Sequence, residues 1–339
     1  MCDTNVAHMV SSEQRAVGPA TGGNQRPVAG RWTGAFIALG AVFALVALVA
    51  IARWGLQGPH SVNPGPDEFG GVKLVILRVL EWGQFAAFLV LVGWFVVKPL
   101  VERRGLGFDG IFILVSFAMN IWDPLDNYFV FAFQYNAHFL NVGSWGGFIP
   151  GWQGPHPELW AVPLGFIFGC YTWSWYAAVR LGSFIYHRLV VARPDWAQWQ
   201  RYGLVYLAVV AQSAISEIIF IRLEHWTYPT QNSFFVIGHG QYGWPWFNCI
   251  IYGMTWMVMV WLRESANQDN GQGLSFVERG IDRYQIGSLQ KTTLRFLAIF
   301  GFVSAVYILI YFVPFNVIMM NGTPVTDLPS YFPVPWGGR

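Results

Sequence analysis

An all-α, polytopic integral membrane bundle of about seven transmembrane helices is the fold this sequence predicts, on three observations. Of its 339 residues 54% are hydrophobic and only 11% charged, less than half the charged share of an ordinary soluble domain. The apolar residues gather into seven long runs, each close to the roughly 20 residues that carry a helix across hydrocarbon. Finally, the cations collect in alternate connections between those runs, as positive-inside orientation requires.

Residues 1–31 are polar and rich in Gly, Ser and Asn, too poor in apolar surface to offset the entropy of ordering them. A flexible cytoplasmic tail is expected there. The apolar runs follow at 32–54, 73–98, 109–132, 159–181, 203–222, 244–263 and 295–317. The first is about twice the length of a signal-peptide core and has no small-residue cleavage site behind it, so it is expected to stay in the mature chain. Backbone groups in hydrocarbon must be hydrogen-bonded within their own segment, and the period-two alternation of a barrel is missing, so the runs are read as helices. Together 32–317 form one transmembrane domain, and the Pro-rich segment 318–339 is expected outside the cytoplasm.

Orientation follows from the connections. Lys98, Arg103 and Arg104 lie between runs 2 and 3, Arg188, Arg193 and Arg201 between runs 4 and 5, and Arg263, Arg279, Arg283, Lys291 and Arg295 between runs 6 and 7. These connections belong in the cytoplasm. Residues 133–158 contain no Lys or Arg, and the connection between runs 5 and 6 has only Arg222 at its edge, so both face outward. The N-terminus, with Arg15, Arg26 and Arg31, is then cytoplasmic. Trp54, Trp145, Trp152, Trp160, Trp226, Trp244 and Trp246 fall near the outer ends of runs and are expected as interfacial anchors.

Several function classes are excluded. A formal charge of +2 offers no clustered basic surface for nucleic acid. Cys2, Cys170 and Cys249 show no metal or redox spacing. No two of the seven His are three or four residues apart, which argues against a membrane metal box. Run 7 has no lysine for a Schiff base, and paired broken helices in two related halves, a transporter signature, do not appear.

What remains to be explained are polar groups inside the runs, the charged ones costing at least a few kcal/mol each in hydrocarbon. Run 2 carries Arg78, Glu81 and Gln84, run 3 carries Asn120, Asp123, Asp126 and Asn127, and run 5 carries Gln212, Ser216 and Glu217. In the orientation above all lie in outer halves, so Asp123, Asp126, Glu81 and Glu217 are expected to line one cavity. On an α-helix Asn120, Asp123 and Asn127 share a face, with Asp126 one turn on from Asp123. Pro124 has no N–H and should kink this helix, freeing the carbonyl of Asn120. The plainer reading is a buried network that only orients helices, with Arg78 paired to Glu81 one turn away. Loop residues Gln134, Tyr135, Asn136, His138, Asn141, Ser144, Trp145, Glu224, His225, His239 and Gln241 are placed to roof the same cavity.

The run Trp122-Asp123-Pro124-Leu125-Asp126-Asn127-Tyr128-Phe129, followed by Tyr135-Asn136, Asn141, Gly143-Ser144-Trp145 and Pro150-Gly151-Trp152, resembles the AveC-like spirocyclases of actinobacteria, over about residues 73–316. The resemblance implies a spiroketal cyclase, in some members also a dehydratase, of polyketide secondary metabolism, acting on a lipophilic dihydroxyketone. Such a reaction protonates a hemiketal hydroxyl, loses water through an oxocarbenium ion and deprotonates a second alcohol, and needs no cofactor. A carboxyl in low dielectric can serve as the acid while a better-solvated or cation-paired neighbour stays ionised. From the residues themselves, Asp126 or Asp123 is the expected acid and Glu81 or Glu217 the base or cation stabiliser. Asn120, Asn127, Tyr128 and Asn136 would orient substrate oxygens, with His138, His225 and His239 above them. Trp122, Trp173 and Trp175 would shelter the cation. No metal is expected, and the partners are the small-molecule substrate and membrane lipid. Two other classes fit the same residues: a transmembrane terpene cyclase acting on an isoprenoid, and a non-enzymatic lipid-handling subunit.

Overall fold

The computed structural model describes residues 32–267 and 273–336, and the expected tail at 1–31 lies outside the described residues. Among the described residues there are seven long helices: α1 (Thr33–Gln57), α2 (Gly71–Val101), α3 (Phe108–Asn127), α4 (164–192), α5 (Gln198–Arg222), α6 (Trp246–Asn267) and α7 (Ser288–Met319). Five of them, α1, α2, α3, α5 and α7, are long and apolar enough to cross a membrane. The other two mix apolar and polar residues, Arg180, His187 and Arg188 in α4 and Asn248, Arg263 and Glu264 in α6.

Burial separates the centre of the bundle from its edge. The most apolar stretch of α3 is 78% buried, against 11% for α1 and for α2, so α3 is the central helix and the first two are peripheral. Leu45 and Leu48 of α1 and Val75 and Val79 of α2 face outward, as lipid-facing residues should. With lipid as solvent there is little hydrophobic drive between helices, and close contact comes from small residues. Gly40 and Gly301 supply it for α1 against α7: a Cβ on Gly40 would lie 2.0 Å from the Leu297 carbonyl oxygen. Gly169 brings α4 equally close to the backbone of Gln84 on α2.

Three helices contain a π-helical turn, at Gly93–Val97, Cys170–Ser174 and Ile308–Phe312. The last nine residues of α3, Met119–Asn127, are wound as a 3-10 helix around Pro124. In that winding the proline leaves free the carbonyl three residues earlier, not four. Accordingly the acceptor released is Ile121, not Asn120, and the Trp145 indole N–H occupies it at 2.9 Å.

At one end of the bundle residues 58–70, 128–163, 223–245 and 320–336 interlock into a cap. An all-α chain was expected, yet the cap holds four two-stranded antiparallel ladders: 134–135 with 226–227, 141–143 with 161–163, 230–231 with 323–324, and 236–237 with 244–245. Buried backbone outside a helix must still find partners, and these short pairings supply them. The C-terminal segment is part of this cap, for Tyr331 and Phe332 are buried and the Ala137 N–H donates to the Tyr331 carbonyl. Trp145 and Trp160, expected as interfacial anchors, are buried within the cap. At the opposite end Arg263 pairs with Asp109 and His187 with Glu264, tying α3 and α4 to α6, and Arg295 pairs with Glu278, tying α7 to the connection that precedes it.

Two adjacent residues pin the cap. Glu224, buried and in a left-handed conformation (φ 58°), accepts from Lys73 at 2.5 Å, from Tyr331 at 2.8 Å and from Tyr242. Burial alone would raise its carboxyl, but these donors hold it below its ordinary range. Beside it His225 sits among Phe139, Phe166 and Phe220. Burial pushes its imidazole down from 6.5 to about 4, against the opposing bond to the Leu223 carbonyl. The unfolded chain therefore takes up a proton that the folded cap refuses, so stability is complete above pH 6.5 and falls toward about 4. Glu224 adds a loss of the same sign at lower pH, as its carboxylate is protonated. Thermal unfolding between pH 8 and pH 4, a range set by the ordinary histidine value, is expected to show this decline in the wild type. His225→Gln, which takes up no proton, should flatten it.

Candidate functional site

A cavity of about 150 Å³ lies between the cap and α2 to α7, with Asp123, Asp126 and Glu217 in its wall. The 3-10 winding of α3 is what presents the two aspartates together, because residues three apart eclipse one another in that helix. Asp123 Oδ1 accepts from the hydroxyls of Tyr171 at 2.9 Å and Tyr135 at 3.1 Å. Tyr171 in turn meets the Tyr307 hydroxyl at 3.2 Å. Asp123 Oδ2 and Asp126 Oδ1 are buried and have no hydrogen-bond partner among the described residues. Such atoms are costly to leave unpaired unless something else, water or a ligand, satisfies them.

Glu217 differs in kind. Its Oε1 accepts from Asn248 Nδ2 at 2.7 Å and from the Tyr228 hydroxyl, and its Oε2 from the Trp244 indole at 3.2 Å. Those donors bind α5, the cap and the start of α6 into one network. Both oxygens of Glu217 are thus engaged, while each aspartate keeps one free.

Around the acids stands a cage of phenols, Tyr135, Tyr171, Tyr228, Tyr252, Tyr307 and Tyr311. The π turns help to build it: Tyr171 lies within one, and Tyr311, beside Asp126, within another. Sequence reasoning singled out Tyr135 only as a roofing residue and passed over the other five. A partial signal was there, since Tyr307 and Tyr311 lie four apart in an otherwise apolar run.

Not every expected residue reaches the cavity. Glu81 is buried outside it, bonded to Arg78 at 2.6 Å and to the Leu140 N–H at 2.9 Å, so the plainer reading of that pair describes its geometry. The α2 residue in the cavity wall is Gln84, one turn on, which takes the Trp173 indole N–H. Asn120 bonds back to the Phe117 carbonyl, and Trp122 turns to Ser304 and Phe43. Asn127 caps the backbone N–H groups of Ala132 and Phe133, Tyr128 donates to the Pro150 carbonyl, and Asn136 donates to the Glu224 carbonyl. His138 stacks on Phe69, His225 lies within the cap, and His239 is exposed. Trp173 lines the cavity, whereas Trp175 stands behind it, donating to the Tyr252 hydroxyl.

Comparison with known proteins decides the relationship: the family described as "Spirocyclase AveC-like" matches residues 102–335. This chain belongs to the AveC-like spirocyclase family. The match begins after α2 and runs through the C-terminal segment, rather than covering residues 73–316, which agrees with the packing of 320–336 into the cap. Asp123, Asp126, Glu217 and all six tyrosines of the cage fall within it, and Glu81 and Gln84 do not. No curated protein and no solved structure matches the chain significantly.

Proposed function

We propose that this AveC-like protein is a multi-pass membrane cyclase that closes a lipophilic dihydroxyketone into a spiroketal by acid and base catalysis from Asp123 and Asp126. Family membership supports a cyclase-type function, and one observation carries the site: two neighbouring carboxyl groups, each with an unpartnered oxygen, in a phenol-lined cavity. One carboxyl donates its proton to the hemiketal hydroxyl, and water leaves with that proton. The second substrate hydroxyl attacks the oxocarbenium carbon and gives its proton back to the carboxylate, so the acid is restored and one water is lost overall. Aromatic faces of the tyrosines and of Trp173 shelter the cation, and Tyr135 and Tyr171 hold Asp123 in place. Glu217, saturated by donors, anchors the wall. A polyketide-like substrate fits this chemistry, as does dehydration by the same acid.

In this reading α4 and α6 also cross the bilayer, making seven spans, with the N-terminus cytoplasmic and the cap outside. The cation-free loop 133–158 and the opposite-end ion pairs support it. Cysteines introduced at exposed positions in 133–158 and 223–243 should react with an impermeant thiol reagent in intact cells. Labelling only after permeabilisation overturns the orientation.

The chemistry is tested with a synthetic dihydroxyketone and membranes containing each variant. Asp126→Asn keeps shape and hydrogen-bonding capacity but removes the proton donor, so turnover should fall roughly 10²- to 10⁴-fold with thermal stability preserved. Asp126→Leu should lose both. Glu217→Gln sets an amide NH2 against existing donors and should cost about 1–3 kcal/mol of stability. Wild-type turnover in both Asp126→Asn and Asp123→Asn rules out acid catalysis by α3.

A further inference from the structure

The cavity wall is incomplete on one side. Residues 175–192 of α4 pack along α5, but the portion of α4 nearer the cap, 164–174, leans instead on α2 through Gly169. A cleft opens between that portion and α5, with Trp173 and Ser174 on one lip and Gln212 and Ser216 on the other, all of them also lining the cavity. None of the four is fully buried, and Trp173 is 37% exposed. On the same stretch of α5 Ile215, Ile218 and Ile219 face outward, so the polar lip lies at the depth of lipid-facing residues. The two serine hydroxyls donate to carbonyls of their own helices, Ser174 to Cys170 and Ser216 to Gln212 and Ser213, but an amide left unpaired at a lipid boundary is disfavoured unless it serves a wet or substrate-bearing path. Gln212 Oε1 is buried there without a partner.

Volume gives the cleft a purpose. At about 150 Å³ the cavity is smaller than the roughly 300–1,000 Å³ of pockets that enclose a drug-sized ligand. Only the reacting end of a lipophilic substrate fits, and the remainder needs somewhere apolar to lie.

We propose that the α4–α5 cleft is a lateral entrance through which a membrane-dissolved amphiphile, hydroxylated at one end and long and apolar at the other, presents its hydroxylated end to Asp123 and Asp126 while its chain stays in the bilayer. The unpartnered Gln212 amide oxygen, and the hydroxyl oxygens of Ser174 and Ser216, can accept from the substrate hydroxyls as they leave the lipid. The inference rests on the proposed function for its chemistry, though not for its route.

The test uses a probe: a long-chain alkyl 1,3-diol with a diazirine in its chain, dissolved in phosphatidylcholine vesicles holding the full-length protein. After illumination, cross-links located by peptide mass spectrometry should concentrate on the α4 and α5 segments flanking the cleft. They should fall several-fold in Ser216→Trp, or in Ser174→Trp if the first does not fold, and persist in Leu207→Trp on the outward face of α5. Cross-links spread evenly over α1 and α2, or unchanged by both plugging variants, overturn the entrance. Because labelling needs no turnover, cleft labelling by a protein that never cyclises the dihydroxyketone upholds the entrance and overturns only the proposed reaction. Wild-type cyclisation by a plugged variant with unchanged labelling does the reverse.

Discussion

The arrangement of this protein depends on nine residues of α3 being wound as a 3-10 helix. Pro124 cannot donate to a preceding carbonyl, and at membrane depth such a break survives only where protein reclaims the lost bonds. Here two of the reclaiming groups come from later in the chain, the Trp145 indole on the Ile121 carbonyl and the Asn316 amide on that of Leu125, while Asn127 caps the turn that follows. In return the tighter winding brings Asp123 and Asp126 onto one edge. The helix that carries the acids is therefore held in part by the cap that roofs them and in part by α7.

This explains the division of labour among the buried polar groups. Glu81, Glu217 and Glu224 have donors on their carboxylate oxygens and each links elements distant in sequence. A buried carboxylate so engaged orients helices and has little left to offer a ligand. The two aspartates each keep an oxygen free, and they are the carboxyls on the wall of the cavity that do so. The tyrosine hydroxyls close the remaining wall without adding charge to a medium in which charge is costly.

Much of this could be read in the amino-acid order. Helices betray themselves by apolar length, and Asp123, Asp126 and Glu217 by being charged where hydrocarbon is expected. That the α-helix would be disturbed at Pro124 was legible too, but the form of the disturbance was not: an α-helix and a 3-10 helix free different carbonyls, and the one freed here is taken by Trp145, contributed by a later loop. Glu81 misled for a related reason, since its partner in the cap, the Leu140 N–H, is a backbone group that no residue identity announces. The ladders of the cap pair segments up to about ninety residues apart, such as 134–135 with 226–227, and two-residue strands leave no periodicity to detect. Five of the cage tyrosines were hard to read because a Tyr in an apolar run reads as core or as an interfacial anchor until its hydroxyl is seen to face another, and the four-residue spacing of Tyr307 and Tyr311 is only a partial signal.

The central claim is that Asp123 and Asp126 act as one catalytic unit, and groups that act as a unit lose their effect together. The most direct measurement is the turnover of a synthetic dihydroxyketone by Asp123→Asn, Asp126→Asn and the double variant, each reconstituted in vesicles and matched for folded protein. The account expects both single variants to be impaired and the double variant to be no slower than the worse of them. Losses that multiply in the double variant, or a double variant as active as the wild type, would contradict it.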